Sequence, residues 1–165
     1  MLLAAMRLLA DRPSDIHLII AGDGPKRALV ERFIAAPAGA AITFLGFTDD
    51  VRAVLSAADM LVMPSRWEGF PLTVAEAMAA GLPVVATSAG GLADVVLGGQ
   101  TGLLIEKEDP PSLAEAMVTL ARNAELRFRL GAAGRKRVED HFTIDRLVGA
   151  HEELYVEVCR PHGRS

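Results

Sequence analysis

This 165-residue sequence predicts an α/β fold, with a parallel sheet flanked by helices on both faces and a closing run of helices. Three observations predict it. Short apolar runs bounded by turn residues recur as far as Ile105, each with the pattern of a strand buried on both faces. A helical pattern separates each run from the next, and that alternation argues for parallel pairing with right-handed connections. From Pro110 onward the strand-like runs stop and only helical spacing continues.

The chain begins inside a helix, because Leu2, Leu3, Met6, Leu9 and Ala10 recur at helical spacing. Asp11-Arg12-Pro13-Ser14-Asp15 breaks that helix, and Ile16 to Ala21 forms the first strand. Gly22-Asp23-Gly24-Pro25 then turns the chain into a helix of about a dozen residues, with proline near the first turn. Ile42 to Gly46 reads as a strand, and Asp50 to Ala57 as a helix that Asp49-Asp50 caps. Met60 to Pro64 is the next strand, followed by a helix over Pro71–Ala80. Pro83 to Thr87, a short helix over Gly90 to Val96, and Leu103 to Ile105 complete the alternation, with Gly98-Gly99 and Gly102 at the last turn. Ser112 to Arg122, Glu125 to Arg137 and Thr143 to Val158 read as the closing helices, and Pro161 to Ser165 as a frayed tail. With no linker or low-complexity tract, residues 1–165 read as one domain.

Composition narrows the function. Hydrophobic residues make up 51% and charged residues 23%, the balance of a globular chain. A net charge of −4 advertises no basic face, so nucleic acid is not an expected partner. The basic run Arg135-Lys136-Arg137 reads as a solvated helix face. Cys159 alone offers neither an intramolecular disulfide nor a metal cluster, and its helical setting suggests a half-buried thiol. His17, His141, His151 and His162 show no metal-ligand spacing. No apolar run approaches the ~20 residues of a membrane span, and the first residues lack the regions of a signal peptide. The expectation is a cytoplasmic enzyme domain without a bound metal.

In open parallel sheets ligands sit outside the carboxyl ends of strands, where loops enter helices. Three loops fall there: Gly22 to Pro25, Ser65 to Phe70, and Ser88 to Gly91. The second carries the most chemistry. Pro71 suits a first helical position, which leaves the amides of Leu72 and Thr73 as orphan donors at a positive helix end. Such an end is an anion site. Glu68 stands just before it, and Glu76 leans back over the same turn. Two carboxylates repel a bare phosphate but accept charge-assisted hydrogen bonds from diols. An anion flanked by hydroxyl-rich groups is what a nucleotide diphosphate sugar presents.

Plainer readings stand beside these. Glu68 alone could complement the helix dipole, and Glu76 alone could be a solvent-facing residue. Trp67 and Phe70 fit either the core or a ligand wall. Gly22-x-Gly24 is not a dinucleotide fingerprint, since Arg27 holds the third glycine place, and no Gly-Lys-Ser/Thr makes it a phosphate loop. It reads as a turn that needs a positive φ. Gly90-Gly91 is either a plain turn or a source of further amides.

An ordered set of motifs spans nearly the whole chain. It comprises Leu18-Ile19-Ile20-Ala21-Gly22-Asp23-Gly24-Pro25, Phe44-Leu45-Gly46-Phe47-Thr48, Met63-Pro64-Ser65 and the Glu68…Glu76 pair. Gly81-Leu82-Pro83-Val84-Val85-Ala86-Thr87, Gly90-Gly91 and Thr101-Gly102-Leu103-Leu104 continue it. The set resembles the C-terminal, donor-binding domain of retaining GT-B glycosyltransferases of family 4, whose sheet is Rossmann-like. The resemblance implies transfer of a sugar, of the hexosyl type, from a UDP-, GDP- or ADP-sugar to an acceptor hydroxyl. It further implies retention at the anomeric carbon and a metal-independent site with no cofactor beyond the nucleotide diphosphate sugar as co-substrate.

By the same resemblance, Glu68 matches the first glutamate of an E-x7-E motif and contacts hydroxyls of the donor sugar near the reacting carbon. Glu76 matches the second and holds the ribose hydroxyls. The amides of Leu72 and Thr73, within the loop Gly69-Phe70-Pro71, match those that receive the diphosphate. Phe47 and Thr48 match the segment that reads the base edge, and Gly22 joins the substrate-binding set. Pro71 takes a place that is often glycine, which removes one phosphate-binding amide.

The family's domain opens with a strand and a loop carrying an Arg and a Lys for the diphosphate, whereas this chain starts at the helix after that loop. That strand is normally central to the sheet. The acceptor, a glycan or lipid, belongs to an N-terminal domain that is also missing. The resemblance thus implies a fragment of a longer enzyme, one that leaves room for peripheral membrane contact of the full-length protein. Alone it should bind donor weakly and transfer nothing. Two other classes stay open: a nucleotide-sugar epimerase of similar architecture, and a non-catalytic nucleotide-binding or interaction module.

Overall fold

A computed structural model describes residues 1–10, 16–36 and 41–160. The expected turn at Asp11 to Asp15 and the tail from Pro161 lie outside the described residues. Strands and helices alternate as α1 (Leu2–Ala10), β1 (Leu18–Ala21), α2 (Arg27–Ile34), β2 (Ile42–Gly46), α3 (Val51–Ser56), β3 (Leu61–Met63), α4 (Leu72–Ala79), β4 (Val84–Thr87), α5 (Leu92–Val95) and β5 (Gly102–Ile105). Three helices follow: α6 (Pro110–Arg122), α7 (Ala124–His141) and α8 (Ile144–Val158).

All strand pairs are parallel, as the alternation requires. They form two ladders instead of the one expected. β1 pairs with β2, and β3-β4-β5 form a separate sheet. Among the described residues no ladder joins β1 to β3, so both strands keep an unpaired edge.

The two ladders are buried to different degrees. Every residue of β4 is buried, and its alternation feeds two cores. Val85 packs with Ala5, Met6 and Leu9 of α1 and with Leu113, Met117 and Leu120 of α6. Val84 and Ala86 face the other way, onto Val74, Ala77 and Met78 of α4 and Leu92 and Val95 of α5. Each such side chain gains roughly 1.5–3 kcal/mol on full burial, which makes this layered half the source of most of the stability. α7 closes over α4 where Gly131 lies so near the Gly81 carbonyl that a Cβ there would clash, 2.0 Å from its oxygen.

In β1 and β2 only Leu18, Ile42 and Gly46 are buried, and α2 only half-buries Phe33 and Ile34 against the core. Ile19 and Leu45 are exposed, which corrects the expectation of strands covered on both faces. Ile19 pairs in register with Thr43, and both lie on that exposed face. α8 likewise buries none of its residues, and Cys159 beyond it is exposed instead of half-buried.

Side chains close the starts of α3 and α6, that of α3 as the sequence predicts. Asp50 accepts from the Ala53 amide at 2.9 Å, and Asp109 from the Ser112 amide at 3.0 Å. The Ser112 hydroxyl, then its amide, holds the Asp109 carboxyl below the usual carboxylate range.

Candidate functional site

β3 delivers the chain to the rim of the layered half, and the loop after it runs into α4. The helix begins at Leu72, one residue later than the sequence predicts. Pro71 sits just outside as the N-cap residue, and its carbonyl accepts from the Val74 and Ala75 amides at 3.0 and 3.1 Å. Proline serves there because it donates nothing and its ring restricts φ. Of the two expected orphan donors, the Leu72 amide is already used, on the Phe70 carbonyl at 3.0 Å. The Thr73 amide is the orphan that remains among the described residues. Val74, Ala77 and Met78 bury one side of α4, while Leu72, Thr73 and Glu76 are exposed on the other. Their spacing of three and four residues sets the Glu76 carboxylate above the same turn as the Thr73 amide.

Glu68 is half-buried and held twice. The Ser65 hydroxyl donates to its Oε1 at 2.8 Å, and its backbone carbonyl accepts from the Gly91 amide at 3.0 Å. Thr87 at the end of β4 is fully buried and donates its hydroxyl to the Ser65 carbonyl. The Gly90-Gly91 turn lies hard against this loop. A Cβ on Gly90 would stand 2.3 Å from the Glu68 carbonyl oxygen, and one on Gly91 1.8 Å from that of Gly69. Glycine is therefore required there for close approach, and the Gly91 amide binds the loop instead of facing a ligand.

Aromatic groups flank this end. Trp67 and Phe70 are both exposed, so neither is core. The Phe70 ring meets that of Phe142, which follows α7, with centroids 5.5 Å apart and planes tilted by 59°. Arg137 lies over Phe142 at 5.4 Å and donates to the Val95 and Asp94 carbonyls at 2.9 and 2.7 Å. Arg135 and Lys136 form exposed pairs with Glu139 and Asp140, as a solvated face should, but Arg137 is a structural tie between α7, α5 and the Phe70 loop. Arg66 pairs with Glu108 at 2.9 Å across the mouths of β3 and β5.

A second cluster occupies the corresponding rim of β1 and β2. Gly22 has φ +125°, the turn geometry its sequence predicts, and its amide donates to the Gly46 carbonyl at 2.7 Å. It lines an open cleft of about 450 Å³ with Asp23, Lys26, Arg27, Val30 and Phe44. Arg27 is occupied there, donating to Asp23 at 2.7 Å and Glu31 at 2.8 Å and lying over the Phe44 ring at 5.3 Å. Its hydrogen bonds to Glu31 and then to Asp23 raise its pKa, while the Gly24 amide and then Arg27 lower that of Asp23. Phe47 and Thr48 follow β2. Phe47 is exposed, and the Thr48 hydroxyl accepts from the Asp50 amide at 3.2 Å at the entrance to α3.

The structure thus gathers Glu68, Gly69, Phe70, Pro71, Leu72, Thr73 and Glu76 at the β3–β4 rim, and Gly22, Phe47 and Thr48 at the β1–β2 rim. Sequence reasoning missed the parts played by Ser65 and Thr87. The register contained a signal for them: Met63 pairs with Ala86, so the residues just beyond, in the Ser65 loop and at Thr87, must lie side by side. Among the described residues no group of three or more His, Cys, Asp or Glu could hold a metal ion. No described helix is long and apolar enough to cross a membrane.

Known proteins resemble this chain in sequence and fold. Residues 1–123 match the family described as glycosyl transferases, group 1. N-acetyl-α-D-glucosaminyl L-malate synthase of Bacillus anthracis is 31% identical over 147 residues, which are 88% of this chain and 39% of that protein. The lipopolysaccharide core biosynthesis mannosyltransferase LpsB of Rhizobium meliloti is 35% identical over 161 residues, 93% of this chain and 46% of that one. Anabaena HepE, solved in complex with UDP-glucose, superposes with a TM-score of 0.84 at 24% identity, over 93% of this chain and 44% of its own. The chain spans less than half the length of the curated relatives it matches. It belongs to the group 1 glycosyl transferases, as a C-terminal domain with the GT-B fold.

Proposed function

We propose that this domain holds the donor of a retaining, metal-independent glycosyltransferase, with the α4 end as the seat of a nucleoside diphosphate sugar. The observation that carries the reading is the exposed helix end between two acids, one of which is fixed in place. The diphosphate lies against the Thr73 amide and the positive end of α4, which offsets the charge gained as the sugar–phosphate bond breaks. Glu76 accepts from the ribose hydroxyls, and Glu68 from hydroxyls of the sugar near its anomeric carbon. Leu72 contributes its exposed side chain to this rim, its amide being taken. Phe47 and Thr48 meet the base, and Gly22 keeps the neighbouring turn open. The complex of Anabaena HepE with UDP-glucose supports a donor of this class.

In the longer enzyme one more parallel strand pairs between β1 and β3, joining the two ladders and bringing the two rims to one ligand. Two unpaired parallel edges on separate ladders favour that arrangement. The basic side chains for the diphosphate come with that strand, and the acceptor comes from a further domain. The isolated chain accordingly binds donor weakly and turns nothing over.

Titration of the 15N-labelled chain with UDP, GDP and ADP tests the reading. One of the three is expected to shift the amides of Thr73 and its neighbours. Glu76→Ala should weaken that nucleotide roughly 10- to 100-fold, the range for a hydrogen bond to a charged group, with the unfolding midpoint unchanged because Glu76 is exposed. Binding by none of the three, or an unaltered affinity in Glu76→Ala, would overturn it. Measurable sugar transfer by the isolated chain would overturn the fragment reading.

A further inference from the structure

We infer that Ser65 and Thr87 are positioning residues for the donor sugar, acting through Glu68 and not on the nucleotide; the inference rests on the donor reading above. Glutamate has three rotatable bonds, and a half-buried carboxylate at a loop has many ways to miss a sugar hydroxyl. The structure removes that freedom in steps. Thr87 is fully buried, and a buried hydroxyl must be paired. Its β-branched side chain is stiff, so its hydroxyl is aimed at one place, the Ser65 carbonyl. That bond spans 22 residues of sequence and ties the end of β3 to the end of β4.

With its carbonyl anchored, Ser65 presents its own hydroxyl to Glu68 Oε1 at 2.8 Å. Donation from a hydroxyl to a carboxylate is charge-assisted and the stronger for it. The Gly91 amide holds the Glu68 backbone at 3.0 Å, so main chain and side chain are fixed independently. A carboxylate offers about four acceptor positions, and Ser65 uses one, leaving capacity for a donor hydroxyl. The nucleotide lies on the Glu76 side of α4, so loss of the Ser65 hydroxyl should be felt by the sugar alone.

The test compares affinities of the 165-residue chain for a nucleoside diphosphate and for its glucose conjugate (UDP-, GDP- or ADP-glucose, according to the base that binds). Ser65→Ala should weaken the sugar nucleotide about 10-fold while the diphosphate stays within about two-fold and the unfolding midpoint holds. Ser65→Thr keeps a hydroxyl and should restore the difference. Thr87→Ser keeps the hydroxyl but frees it to turn and should lose only part of the preference, whereas Thr87→Val should reproduce the selective loss under conditions where it remains folded. Equal weakening of both ligands in Ser65→Ala, no weakening of either, or no rescue by Ser65→Thr overturns the inference while leaving the donor reading intact. Failure of the unsubstituted chain to bind any of the diphosphates overturns both.

Discussion

β4 reads Val84-Val85-Ala86-Thr87 and β1 reads Leu18-Ile19-Ile20-Ala21, two four-residue strands of which β1 is the more apolar. Yet all four residues of β4 are fully buried, whereas β1 buries only Leu18, and that one less completely. Side-chain chemistry does not explain the difference, but their neighbours do. β4 has a strand on each edge and helices over each face, whereas β1 has one partner strand and one face left open. The same contrast divides the candidate site. Glu68 and the start of α4 hang on the filled half, and Gly22, Phe47 and Thr48 on the half-covered one. Rigidity at a ligand rim is thus borrowed from the layers behind it.

The first probe of this contrast belongs at the filled rim. Gly91→Ala puts a Cβ 1.8 Å from the Gly69 carbonyl oxygen and 2.9 Å from its carbon. Backbone cannot yield as a side-chain tip can, so the loop must be displaced. The expected loss is about 3 kcal/mol, at the upper end of overpacking costs, read by urea unfolding. Retention of wild-type stability would mean that the turn and the Glu68 loop are not in contact, and the fixed geometry of Glu68 would go with it.

The core offers the next contrast. Met78 of α4 is fully buried, and Met78→Ala should cost about 2–5 kcal/mol through lost burial and the cavity left behind. Ile19 on β1 is 38% exposed, and Ile19→Ala should cost under about 1 kcal/mol. In a longer chain with the extra strand in place, the Ile19 cost should rise if that strand brings cover to β1. An equal cost for the two substitutions in the isolated chain would erase the distinction between the halves.

How much of this the sequence discloses depends on the range of the interaction. Element order was legible because Gly, Pro and Asp mark each boundary locally, as at Gly22, Pro71 and the Asp50 cap. The exposed triad of Leu72, Thr73 and Glu76 was legible for the same reason, being set by helical spacing within one turn. Burial of β1 was not, because an apolar run reads the same whether or not a layer covers its second face. Arg137 was misread as a solvated cation because its acceptors at Asp94 and Val95 are 43 and 42 residues away. The Leu72 amide was misassigned because one residue of difference in the helix start decides whether the Phe70 carbonyl can reach it. Ser65 and Thr87 become visible only once β3 and β4 are known to be neighbours in register.

A last contrast separates two glycines on the half-covered rim. A Cβ on either Gly22 or Gly24 would meet nothing within 4 Å, so packing gives no reason for glycine at either place. Backbone does. Gly22 has φ +125°, a region costly for any residue with a Cβ, whereas Gly24 is not in that region. Gly22→Ala should lose about 1–3 kcal/mol from strain. Gly24→Ala keeps the amide that donates to Asp23 Oδ1 at 2.7 Å and restricts the unfolded chain. It should gain about 0.4–1 kcal/mol. Opposite signs from adjacent, equally open sites would show that conformation alone governs this rim. A loss at Gly24 as large as at Gly22 would mean that something packs there, and that the β1–β2 half is more covered than its exposed residues indicate.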